Sequence, residues 1–130
     1  MSRSSRITTP FLIGCLQIST AVFAVDSTWI GGSTGTWTDA GNWSAGVPQT
    51  ASDTATLNGS VTITVPSSVT VKTLTVNAPA TLTVVSGATL AFANGSGDVL
   101  TANATCLIDG AGTLTFSMSG TTGTDYANIK

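Results

Sequence analysis

The chain contains no histidine, no glutamate and only two cysteines. Without His or Glu, any general base has to be one of six aspartates or a lysine, so acid–base catalysis has little to draw on. Serines and threonines are plentiful, yet they have no imidazole to activate them. Basic residues are equally scarce: Arg3, Arg6, Lys72 and Lys130 are the full set. So few cations cannot neutralise a run of phosphates, which argues against a nucleic-acid partner, and there is no polybasic patch for anionic lipid headgroups. Helix formers such as Glu, Lys and Arg are nearly missing while β-branched residues abound, and no segment carries a helical period. An all-β chain is expected.

The N-terminus has an export signal's order of features. Arg3 and Arg6 precede a largely apolar, uncharged run from Ile7 to Phe23, and Val22-Phe23-Ala24 offers small residues where a signal peptidase reads. Residues 1–24 are therefore predicted to be a signal peptide cleaved after Ala24, giving an exported protein with no membrane insertion after cleavage. A minor alternative is a lipoprotein: Leu12-Ile13-Gly14-Cys15 resembles a lipobox, which would lipidate Cys15. The apolar stretch runs on past Cys15, which favours simple cleavage. Processing leaves Cys106 as the one cysteine, so no internal disulfide is expected. Cys106 occupies an apolar slot of the repeat described next, and a buried, inert thiol is expected there.

From Leu57 to Met118 a Thr-Leu-Thr-Val-like unit recurs about every eight residues. It appears as Thr73-Leu74-Thr75-Val76, Thr81-Leu82-Thr83-Val84, Thr89-Leu90-Ala91-Phe92, Thr105-Cys106-Leu107-Ile108 and Thr113-Leu114-Thr115-Phe116, with a degenerate slot at Gly97-Asp98-Val99-Leu100. Val61–Val65 and Val69–Lys72 open the series. Each unit alternates small polar and apolar residues, so one face of a short strand is apolar and the other carries hydroxyls. Asn77-Ala78-Pro79-Ala80, Ser86-Gly87-Ala88, Asn94-Gly95-Ser96-Gly97 and Asp109-Gly110-Ala111-Gly112 are turn sequences between units. A unit this short cannot bury its own apolar face, so neighbours must stack. Like residues at equal spacing predict a right-handed parallel β-helix, or β-solenoid, over residues 57–120. The alternative is an antiparallel β-sandwich or meander.

Residues 25–56 differ. They hold all three tryptophans, Trp29, Trp37 and Trp43, among Gly31-Gly32-Ser33-Thr34-Gly35 and Asp39-Ala40-Gly41-Asn42. Alternation on either side of the first glycine-rich stretch suggests that Trp29 and Trp37 face each other across a hairpin-like turn. A solenoid needs its ends covered, and this Trp/Gly-rich segment stands where an N-terminal cap would. Residues 121–130 form a C-terminal tail with no comparable cap, which suggests stacking against further repeats of a longer chain.

The stretch Thr28-Trp29-Ile30-Gly31-Gly32, continuing through Gly35-Thr36-Trp37-Thr38-Asp39-Ala40-Gly41-Asn42-Trp43-Ser44-Ala45-Gly46-Val47-Pro48 to Asp53-Thr54-Ala55, resembles the opening of bacterial proteins with autotransporter-associated β-strand repeats. Gly110-Ala111-Gly112-Thr113-Leu114-Thr115-Phe116 resembles their Gly-x-Gly-x-Leu-Thr-Leu repeat. The resemblance implies a bacterial cell-surface β-helical protein with a role in adhesion, envelope architecture or polymer handling. The chain shows neither a membrane β-barrel translocator nor a sorting tail.

The tryptophans are the main candidate site. Trp29, Trp37 and Trp43, with Asp39 and Asn42 and with Asp53 nearby, could stack on sugar rings and bind their hydroxyls, making a small carbohydrate-binding module for extracellular polysaccharide or cell-surface components. The competing reading makes the indoles apolar plugs over the open end of the first coil. Cap and platform differ in one observable: a cap buries its indoles, a platform leaves at least one in solvent. Asp98 and Asp109 could approach on adjacent coils as a carboxylate pair, but both neighbour glycine in expected turns. The aspartates match no calcium loop, so no metal site and no cofactor is expected. Outward threonines such as Thr75, Thr83 and Thr115 raise a minor idea of ice binding, weakened where the register breaks at Ala91 and Gly97-Asp98. The sequence is best read as an exported, non-enzymatic structural or adhesive module.

Overall fold

The computed structural model describes residues 23–93 and 97–116. Cys15 and nearly all of the expected signal peptide lie outside the described residues, as does the expected 121–130 tail. The chain is all-β: β1 (Asp26–Thr28), β2 (Thr34–Thr36), β3 (Thr54–Leu57), β4 (Val61–Val65), β5 (Val69–Val71), β6 (Thr73–Val76), β7 (Ala80–Val84), β8 (Thr89–Phe92), β9 (Leu100–Ala102), β10 (Cys106–Asp109) and β11 (Thr113–Phe116). A 3-10 turn at Ala40–Asn42 is the one helical element among the described residues. The degenerate repeat slot yields a strand only from its last residue, Leu100, onward.

The strands form three sheets, ordered β1-β3-β6-β9, β2-β4-β7-β10 and β5-β8-β11, and every strand pairing is parallel. An antiparallel sandwich or meander therefore does not describe these residues. From β3 onward the chain visits the three sheets in turn, so each strand pairs with the one three places later. The vertical offset varies: Asp26 pairs with Thr54, Thr54 with Thr73, and Leu74 with Leu100, offsets of 28, 19 and 26 residues. Strand lengths are nearly constant, so the corners take up the difference. β3 straddles the expected boundary between cap and repeats, pairing with β1 on one side and β6 on the other.

Alternation does the sorting that the sequence suggests. In β4 the buried residues are Val61, Ile63 and Val65, with Thr62 exposed and Thr64 half-buried; β7 repeats this with Ala80, Leu82 and Val84. Register then stacks like on like: Ile63 lies over Leu82 and Ile108, Leu74 over Leu100, and Val71 over Phe92. Phe92 and Phe116 stack with ring centroids 5.3 Å apart. On the other surface Thr34, Thr62 and Thr81 form one column and Thr36, Thr64 and Thr83 another. Thr75, Thr83 and Thr115, by contrast, sit in three different sheets and do not share a face. Asn58, Asn77 and Asn103 line up at one corner, where Asn77 Nδ2 donates to Asn58 Oδ1 (2.8 Å) and Asn103 Nδ2 to Asn77 Oδ1 (2.7 Å).

Burial falls off towards β9–β11. Leu100, Cys106, Ile108, Leu114 and Phe116 are only partly buried, and Leu107 is exposed. Cys106 is thus half-buried rather than buried as expected, because no described strand lies beyond β10. Burial still pushes its thiol up and away from thiolate chemistry.

The corner between β10 and β11 packs closely against the backbone of Val84 and Val85. Gly110 has φ +114°, and a Cβ there would meet the Val84 carbonyl oxygen at 2.2 Å. Gly112 donates to that same oxygen (2.9 Å). Gly110→Ala combines an unfavourable backbone with a clash against main chain that has nowhere to move. It should cost about 3 kcal/mol locally. Hydrogen exchange is the check: amides of β10 and β11 should lose protection while β4 keeps it, and unchanged protection in β10 would refute the clash.

Candidate functional site

The three indoles are brought together by segments that leave different sheets. Trp29 follows β1 and continues its pairing, donating its N–H to Thr56 O (2.9 Å). Trp37 follows β2 and donates to Thr64 O (2.8 Å). Trp43 comes after the 3-10 turn, which Asp39 caps by accepting from Gly41 N (2.9 Å). An antiparallel bridge joins Trp29 to Trp43. Trp29 therefore does not face Trp37 across a hairpin, because β1 and β2 join different sheets. Trp43 packs edge-on against each: centroids lie 5.2 Å from Trp29 and 4.8 Å from Trp37.

All three are buried, at 6%, 0% and 3% exposure for Trp29, Trp37 and Trp43. Each indole N–H is also spent on a backbone carbonyl: Trp29 on Gly32 (3.0 Å), Trp37 on Pro48 (2.8 Å) and Trp43 on Trp37 (2.7 Å). The glycine-rich stretch is explained by Trp29. A Cβ on Gly31 or on Gly35 would lie 2.8 Å from its indole carbon, so both must be glycine for the ring to lie across the backbone. Asn42 is half-buried and pins this layer: its Nδ2 donates to Thr36 O (3.0 Å), while its own carbonyl accepts from Ile30 and Gly31. Asp39 is exposed and committed to its turn. The arrangement presents no open indole face on which a sugar ring could stack.

Asp53 is the residue whose role sequence reasoning missed. It is 1% exposed, yet no cation pairs with it among the described residues. Its Oδ1 accepts from Val25 N (2.9 Å), and Oδ2 from Gln49 N (2.9 Å) and Thr50 N (2.8 Å). Burial raises its pKa, but these backbone donors and the Thr50 hydroxyl outweigh that and hold it below the usual aspartate value. Its main-chain carbonyl accepts from Lys72 N (2.7 Å). One side chain thus ties the start of the fold to the turn before β3. The signal available in the sequence was an Asp three residues after Thr50 in a Pro-Gln-Thr-Ala-Ser turn, the spacing at which a carboxylate reaches back to turn N–H groups.

Asp98 precedes β9 and Asp109 ends β10, so they belong to one round of three strands and not to adjacent rounds. Among the described residues no three His, Cys, Asp or Glu side chains converge as metal ligands would.

The geometry defines an all-β protein of parallel sheets whose first strands are covered by a buried aromatic layer. No protein family, curated protein or solved structure matches the chain.

Proposed function

We propose that this is an exported, non-enzymatic structural or adhesive module of a bacterial surface protein, built as a right-handed parallel β-helix. Residues 25–56 are its N-terminal cap and 57–120 its coils. The cyclic visit to three parallel sheets supports the solenoid, and a β-to-parallel-β connection takes the right hand almost without exception. The observation that carries the structural role is the indole layer: three buried tryptophans with every N–H satisfied are shaped to close an end, not to receive a ligand. The likeness of 28–55 to the opening of autotransporter-associated repeat proteins points to the same role. At the far end β9, β10 and β11 each pair on one side only among the described residues, and further repeats of a longer chain would add there.

Tryptophan emission of the chain from Val25, with and without bacterial and plant polysaccharides, tests this reading. Blue-shifted emission unmoved by every glycan is the expected result. Solvent-exposed emission that responds saturably to one polysaccharide would replace the cap with a carbohydrate-binding platform.

A further inference from the structure

The residue expected to become the mature N-terminus is the one whose nitrogen touches the buried carboxylate. Val25 N lies 2.9 Å from Asp53 Oδ1, and Thr54 N donates to Val25 O (2.8 Å), so Val25 is held from both sides before β1 begins. The chain emerges immediately upstream: Val25 is half-buried, whereas Ala24 is exposed and Phe23 is 82% exposed. Two independent readings, small residues at the peptidase positions and the point where the chain enters the fold, meet at one peptide bond.

We propose that hydrolysis of the Ala24–Val25 bond creates an α-ammonium on Val25 that locks onto Asp53 as an ion pair, so that signal removal itself stabilises the fold. Water adds across the bond under a signal-peptidase-class endopeptidase. Ala24 leaves with the new carboxylate, and the Val25 nitrogen, protonated at neutral pH, keeps its place against Oδ1. An amide N–H bonded to a charged carboxylate becomes an ion pair with charge on both partners, adding Coulomb attraction to the hydrogen bond already present. The partial exposure of Val25 leaves water to take the ammonium's other protons. The remaining charged side chains nearby are Asp26, exposed, where its carboxylate accepts from the Thr54 hydroxyl, and Lys72, whose side chain is exposed. A precursor without the ammonium lacks the lock, which suits a chain that must stay unfolded until exported.

This inference rests on the export reading, and its test separates the two. Every described strand lies within 26–116, so a chain beginning at Val25 holds the whole described fold. Two chains are compared, one beginning at Val25 and one a single residue longer at Ala24, each with and without Asp53→Asn. At pH 6.5 the Val25 chain should have an unfolding equilibrium constant about tenfold smaller than the Ala24 chain, corresponding to one unit on the amine's pKa. Asp53→Asn should erase that difference. Because the pair holds the ammonium's pKa above the free amine's value of about 8, the advantage is full below that and lost by about pH 10. Equal stabilities at pH 6.5, or a difference that survives Asp53→Asn, overturn the lock. N-terminal sequencing of the exported protein tests the processing: a start at Val25 supports it, and a start anywhere else, including a lipidated Cys15, overturns it.

Discussion

Trp37→Ala should destabilise the fold by about 3–5 kcal/mol, as expected for emptying a fully buried aromatic site. Trp37 is 0% exposed, so none of its area is recovered by solvation in the native state. Its removal takes away the edge contact to Trp43 and leaves the Pro48 carbonyl, on a buried residue, without its donor. The cavity would open beside the first strands of two different sheets, where β1 and β2 each have one neighbouring strand among the described residues. Trp37→Phe separates the two contributions. It keeps most of the ring and loses the N–H, so about 1–2 kcal/mol is expected. Denaturant midpoints of the three proteins measure both differences. A Trp37→Ala protein within 1 kcal/mol of the parent would show that the indole layer is not what closes this end.

What could be read in the sequence, and what could not, divides along a physical line. Alternation is local, so Thr73–Val76, Thr89–Phe92 and Thr113–Phe116 are strands where the pattern places them. Strand partners are non-local. The eight-residue period is the distance from one strand to the next around the molecule, while pairing occurs at offsets of 19 to 28 residues that corner lengths set. Two extra residues near Ser86-Gly87, or a longer connection from β8 to β9, leave each strand's pattern intact and shift everything above it. That is why Thr75 and Thr83 look like neighbours in a row but belong to different sheets, whereas Thr64 and Thr83 share a column. The indoles follow the same rule. Their residue type and segment were enough to suggest a cap, but which ring meets which depends on Trp43 returning to Trp29 through an antiparallel bridge. Asp53 was least legible, since a carboxylate three residues past a threonine is ordinary turn chemistry. Only the fold brings Val25, distant in sequence, to its other oxygen.

Asp53→Asn should cost about 2–3 kcal/mol near neutral pH, and the loss should depend on pH in a direction the geometry fixes. Both carboxylate oxygens are acceptors of backbone N–H groups, one from Val25 and two from Gln49 and Thr50. An asparagine keeps one acceptor and turns an NH2 towards the other donors, so whichever way it flips at least one N–H faces a donor. Those donors have no alternative, because the side chain is buried and water is excluded from it. In the parent, the folded pKa of Asp53 lies below its unfolded value, so the unfolded chain binds the proton first on acidification. Its stabilisation is therefore fully present above the unfolded pKa of about 4 and drains away as pH falls towards the folded pKa. The asparagine variant has no such proton to bind. Urea midpoints measured from pH 7 to pH 2.5 should show the two proteins well separated at neutral pH and converging below about pH 4. A separation that stays constant through that range would mean that the charge on Asp53 contributes nothing, and that the site holds Val25 to the turn by shape alone.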